Sequence, residues 1–203
     1  MILPEQKGRN VANRSPALLC LVSALLFGAS TPFAKLLLSG ISPFTLAGLL
    51  YLGAAIAVAP AAYRAGLSPA AFRAGNLGYL VGAIVCGGIV GPVLLLKGLD
   101  LGEAASVSLW LNLETVATSL LAWAFFREDM GARTWIAMIL VTAGGVVLAA
   151  PFEGSAGMAA LLVVLACFCW GLDNNYTALI DGLTPSQSTF AKGLVAGSVT
   201  LGI

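Results

Sequence analysis

Residues 167–187 read CFCWGLDNNYTALIDGLTPSQ. The stretch begins inside an apolar run, sets Asp173, Asn174 and Asn175 side by side, and reaches Pro185 at the head of another apolar run. Residues 26–44, LFGASTPFAKLLLSGISPF, have the same layout. With Gly28 placed on Gly171, an offset of 143, Phe27 meets Trp170, Phe33 meets Tyr176 and Leu36 meets Leu179. One deletion near Ser39 then brings Gly40 onto Gly182, Ser42 onto Thr184, Pro43 onto Pro185 and Leu52 onto Leu194. Each stretch ends one apolar run and opens the next.

Working outward, apolar runs lie at about 17–38, 43–63, 77–97, 104–126, 133–150, 157–180 and 185–203. Each approaches or exceeds the ~20 residues that a helix needs to cross a hydrocarbon layer. Turn signals separate them: Ser39-Gly40, Ser42-Pro43, Gly66 to Pro69, Gly131 and Gly154. Barrel strands would be ~10 residues long with alternating polarity, which these runs lack. The chain is 59% hydrophobic and 9% charged, against about 25% charged in a soluble domain, so lipid must be its outer solvent. The first run is longer than a signal-peptide core and six more follow, so it reads as a retained first helix. The expected fold is an all-α polytopic membrane protein, a helix bundle.

The two similar stretches sit five spans apart. An odd separation gives the copies opposite orientation, which predicts inverted-topology five-helix repeats, a construction common in secondary transporters. The expected organisation is a cytoplasmic tail at 1–16, a first repeat at 17–150, and the start of a second at 157–203. Only two spans of that second repeat are present, so it reads as truncated. Orientation follows from Lys and Arg near the spans. With the N-terminus inside, the inner segments hold Lys7, Arg9, Arg14, Arg64, Arg73, Arg127 and Arg133, and the outer loops hold only Lys97.

Polar residues within the spans are the candidate substrate or ion path. Glu114 lies about ten residues into the fourth span, ~15 Å deep at the helical rise. It reads as a coupling site or substrate ligand, or as a protonated acid bonded to a neighbouring helix. Asn112, two residues away, lies on a different face. Asp173, Asn174 and Asn175 are ~100° apart in succession and cannot share one face. The run is expected to weaken its helix, as Pro32 in Ser30-Thr31-Pro32 weakens the matching stretch, and paired interruptions point to a transporter's binding site. The same three residues would otherwise be interhelical glue. Lys192 could snorkel, pair with Asp173 or bind a carboxylate. Lys35 and Lys97 lie near the outer ends of their spans, where snorkelling is the default, and Lys35 remains a path candidate. Trp170 suits a cavity wall or plain packing, and Trp123 with Trp135 flanks an inner loop as an aromatic belt would. Gly78 with Gly82, Gly87 with Gly91, and Gly193 with Gly197 allow close helix approach. Pro92 is placed to bend the third span.

One stretch carries a family resemblance: LNLETVATSLLAWAFFREDMGARTWIAMILVTAGGVVLA, residues 111–149. It resembles the fourth and fifth helices of EamA-type members of the drug/metabolite transporter superfamily: an apolar helix, a short loop with an acid (Glu128), and a glycine-containing helix. WGLDNNYTALI and KGLVAGS resemble one branch of the same family. Many members have a proline after the position of Glu114, where this chain has Thr115. The resemblance implies a pathway between two five-helix halves and, often, export of small metabolites.

No catalytic constellation is expected. Histidine is absent, which removes Ser-His-Asp and Cys-His chemistry and the usual metal ligand. Cys20, Cys86, Cys167 and Cys169 lie in apolar runs without zinc spacing and read as reduced core residues. No cofactor and no metal are expected. A net charge of +1 without basic clusters argues against a nucleic-acid partner, and none is expected. The expected partners are the lipid bilayer, a small-molecule substrate and, to complete a truncated cavity, a second copy in a homodimer. The expected function is a secondary transporter of the inner or plasma membrane, exporting a small metabolite by alternating access, with proton coupling through Glu114 an open option. The rivals are a membrane-embedded assembly subunit, a nonfunctional fragment and a passive channel.

Overall fold

The computed structural model describes residues 14–66, 73–149 and 156–202. Lys7, Arg9, the turn signals at 67–69 and Gly154 lie outside them. The described chain is helical: α1 (Arg14–Leu37), α2 (Pro43–Arg64), α3 (Ala74–Ala83), α4 (Gly91–Leu101), α5 (Ala104–Trp110), α6 (Leu113–Phe126), α7 (Ala132–Ala149), α8 (Ala156–Ala178) and α9 (Pro185–Leu201). A π-helical segment, Ile84–Val90, joins α3 to α4. Five helical stretches are long and apolar enough to cross a membrane: Ala17–Leu37, Pro43–Arg64, Gly75–Leu101, Ala104–Phe126 and Gly157–Ala178. The chain is an all-α polytopic membrane protein. The apolar part of α7, Ala132–Val147, is shorter, and α9 carries Ser, Gln, Lys and Thr among its apolar residues.

Local chemistry starts and stops these helices. Ser42 caps α2, its hydroxyl accepting from the Thr45 N–H, with Pro43 just inside. Thr184 caps α9 and forms a reciprocal box with Gln187, with Pro185 just inside. Proline costs nothing there because its missing N–H would be unpaired anyway. Arg127 ends α6 at φ 55°, a left-handed conformation that strains a side chain with a Cβ. Arg127→Gly is expected to stabilise the chain by about 1 kcal/mol, raising the melting temperature in detergent by ~2–4 °C. An unchanged or lower value would contradict that strain.

Packing runs through a narrow seam. Leu46, Ala47, Leu96, Leu99, Val107, Val163 and Cys167 are buried in one cluster, while Leu19, Leu26, Phe33, Ile56, Ile139 and Val147 face outward. That pattern suits a lipid solvent, which leaves packing and polar contacts to bring the helices together. The most extensive contact is α2 with α9. Gly48 lies against Leu201, Ala55 against Gly193, and Ala62 is bonded by Gln187, so the two helices run antiparallel. Trp123 and Trp135 meet edge to face at 5.4 Å across the 127–131 loop.

The helices break elsewhere than the sequence suggests. α8 continues through Asp173, Asn174 and Asn175, and α1 continues through Pro32. The expectation of paired interruptions at these two places is thereby corrected. The irregularities are the π segment before Pro92 and a break at residues 111–112 between α5 and α6. The cysteines are all free, but only Cys167 lies in the core as expected of all four; Cys86 and Cys169 are half-buried, and Cys20, on α1, is exposed. Its helix turns most of its surface outward.

Candidate functional site

The polar residues of α8 keep their helix intact because each finds a partner off its own backbone ladder. Asp173 is 7% exposed. Lys192, one helix on, donates to both of its carboxylate oxygens, at 2.8 and 3.0 Å. Thr177 donates to Asp173 Oδ1 at 3.0 Å and also lies 3.5 Å from the lysine Nζ. Asn174 points the other way, its amide donating to Glu114 Oε1 at 3.1 Å and to Thr118 Oγ1 at 3.2 Å. Asn175 donates to the backbone carbonyls of Thr118 and Gly171. The three residues thus face two sides, toward α9 and toward α6.

Glu114 is in the first turn of α6, where unpaired N–H groups favour a negative charge. The turn exists because α5 stops at Trp110. Asn112 sustains that stop: its amide donates to Leu109 O at 3.0 Å and Ser108 O at 3.5 Å, satisfying carbonyls at the end of α5. Asn112 and Glu114 therefore serve different surroundings. Among the described residues, the ion pair formed is Lys192 with Asp173. Glu114 has an amide for its partner, and Asp173 an ammonium.

Trp170 lies one turn before Asp173 on α8. Its indole N–H donates to Gly87 O at 3.0 Å, and Tyr51 from α2 donates to the same oxygen at 2.5 Å. Gly87 also touches the pair directly, because a Cβ there would overlap the Asp173 carboxylate. Beyond the cluster, Tyr176 packs on Gly82 and rests between Tyr79 and Phe126, with ring centroids 6.2 and 6.0 Å away.

Glu114, Asp173, Asn174, Asn175, Lys192 and Trp170 are thus brought together around α8, in two clusters on two of its sides, Asp173 with Lys192 toward α9 and Glu114 with Asn174 and Asn175 toward α6. Lys35 is not. Its Nζ donates to the Leu99 and Asp100 carbonyls, at 2.6 and 2.8 Å, at the end of α4, where a cation meets the negative end of the helix. Lys97 stands 4.8 Å from the centre of the Phe44 ring. Tyr51, Thr118 and Gly87 join these clusters without having been expected in them. A tyrosine in an apolar span looks like packing, and a backbone carbonyl has no sequence signal, but Pro92 placed five residues after Gly87 is one. No group of three or more metal-ligating side chains occurs among the described residues.

A bundle of apolar helices, with a charged pair and a further carboxyl between them, defines a multi-pass membrane protein. A family model described as the EamA-like transporter family matches residues 14–150, and the chain belongs to that family. It is also 28% identical over 171 residues to a protein of Methanothermobacter thermautotrophicus named as an uncharacterized transporter. That match takes in 75% of this chain and 50% of the relative, so the chain spans about half the length of the curated relative. No solved structure matches.

Proposed function

We propose that this chain provides the first half and part of the second half of a secondary transporter that exports a small polar or amphipathic metabolite by alternating access. The observation that carries the reading is the pair of polar contacts that flank α8 within apolar helices, the largely buried Asp173–Lys192 ion pair on one side and Glu114–Asn174 on another. Charges in a membrane interior are costly and persist where they serve a path. The site draws Tyr51, Gly87 and Glu114 from the first proposed repeat and Trp170, Asp173, Asn174 and Lys192 from the second. The antiparallel α2–α9 contact and the matched Ser42-Pro43 and Thr184-Pro185 starts support an inverted pair. Glu114, bonded to an amide rather than a cation, is the group we assign to proton or cation coupling. The charge bias of the loops supports a cytoplasmic N-terminus in the inner or plasma membrane.

Flux tests this. The protein in proteoliposomes, given a panel of small polar metabolites under an imposed pH gradient, should show saturable, gradient-dependent uptake of at least one. Glu114→Gln should lower the coupled flux by roughly tenfold or more, the loss expected when one site interaction of ~1.4 kcal/mol is removed. Uptake linear in concentration would mark a channel. Coupled uptake that survives both Glu114→Gln and Asp173→Asn would leave these residues a purely structural role.

A further inference from the structure

The π segment has a consequence set by one missing hydrogen. Within it the backbone bonds run from residue i to i−5, and Gly91 N–H reaches Cys86 O. The next donor in that series would be the N–H of residue 92, aimed at Gly87 O. Residue 92 is proline and has none. A buried carbonyl without a donor is costly, and here two side chains supply donors: Tyr51 from α2 and Trp170 from α8. Gly87 is buried and its Cα face is covered by the Asp173 carboxylate. The next residue, Gly88, would place a Cβ 2.7 Å from Ala196 of α9, the helix of Lys192. Gly91 would place one 3.1 Å from the Trp170 indole nitrogen. The irregular segment is therefore the surface on which both partners of the ion pair are seated, and its freed carbonyl fixes the rotation of α8.

We propose that Tyr51 and Trp170 are positioning residues for the Asp173–Lys192 pair, acting through the Gly87 carbonyl that Pro92 frees. The site is the one assigned to transport, but the proposal concerns its assembly, and its test needs no flux. A failed transport assay and a failed test here are thus distinguishable. The polar atoms that face the freed carbonyl come from two different helices, and each can be removed with little change of shape.

The test is Lys192 reactivity, read by mass spectrometry after brief treatment of the full chain in detergent with an acetylating N-hydroxysuccinimide ester. Exposed Lys97 serves as the internal standard. Tyr51→Phe should raise Lys192 acetylation about fivefold relative to Lys97, the population shift for one net hydrogen bond. In a Pro92→Ala background the restored N–H can satisfy Gly87 O, and Tyr51→Phe should then change the ratio less than about twofold, a non-additivity that reports the shared acceptor. If Pro92→Ala cannot be purified, Tyr51→Phe combined with Trp170→Phe takes its place. Removing both donors orphans the carbonyl, so the double change should exceed the product of the single ones. Equal Tyr51→Phe effects in both backgrounds, simple multiplication in the double variant, or no rise at all would overturn the proposal. A merely structural tyrosine would give equal effects, because its loss would not depend on the residue at 92.

Discussion

Lys192→Met is expected to destabilise the protein by about 3 kcal/mol, because it leaves the Asp173 carboxylate buried without its counter-ion. The two side chains are 17% and 10% exposed, so solvent screens little of the loss. Thr177 still donates one bond, which cannot replace the two from the ammonium. Asp173→Asn alone should cost less, because the lysine has a long stem with which to reach water. The decisive comparison is the double variant, Asp173→Asn with Lys192→Met, which removes both charges and should recover most of the stability. Thermal unfolding in one detergent reads all four proteins. If the double variant is as unstable as Lys192→Met, uncompensated charge is not the cause of the loss. Flux should separate from stability here: under the proposed function, the recovered double variant is expected to stay transport-defective, since the proposed path would lack both charges.

Gly193→Ala should be among the most damaging single-methyl changes at the described glycines. Its Cβ would lie 2.6 Å from the Tyr51 carbonyl oxygen, 2.9 Å from Ala55 Cβ and 3.1 Å from Ala55 N. Two of those atoms are backbone, so the obstacle cannot be cleared by rotating a side chain. α2 and α9 must move apart, and both deliver site residues: Tyr51 on one, Lys192 on the other. A cost of about 3 kcal/mol is expected, at the upper end for overpacking, or ~6–12 °C in melting temperature for a chain of this size. Gly53→Ala is the control. It lies on α2 with nothing within 4 Å of its would-be Cβ, and the change should be neutral or slightly stabilising through helix propensity. Equal melting temperatures for the two variants would show that α2 and α9 are not held by close backbone approach. Gly197→Ala should fall between them, since it meets the movable end of Leu52 as well as Gly48 O.

The candidate site was legible in part because charge and amide groups are conspicuous in an apolar chain. Glu114, Asp173, Asn174, Asn175 and Lys192 are identifiable by type alone, and the structure gathers them around α8 in two clusters. Their partners were not legible. Pairing Asp173 with Lys192 rather than with water requires α9 to return beside α8. Bonding Glu114 to Asn174 requires α6 to start where it does. Lys35 has the same residue type as Lys192, yet from the last turn of α1 it caps α4. The misplaced helix interruptions have the same origin. Asn and Asp weaken a helix when their side chains bond to local backbone, but α6 and α9 offer partners that leave the α8 ladder whole.

The sequence by itself determined the class and the spans. Hydrophobic runs of membrane length follow from the chain's own composition, and the caps Ser42-Pro43 and Thr184-Pro185 are local chemistry. The stretch at 111–149 resembled the family to which the chain belongs, because a pattern of apolar and small residues carries along one continuous segment. Only the tertiary structure decided which carboxyl has a cation and which an amide, where the helices yield, and that Gly87 O collects Tyr51 and Trp170. Those facts depend on groups that are 36 and 83 residues apart in the chain. In an apolar medium each polar group must be satisfied by whatever side chain the packing brings within reach, and no local pattern specifies that neighbour.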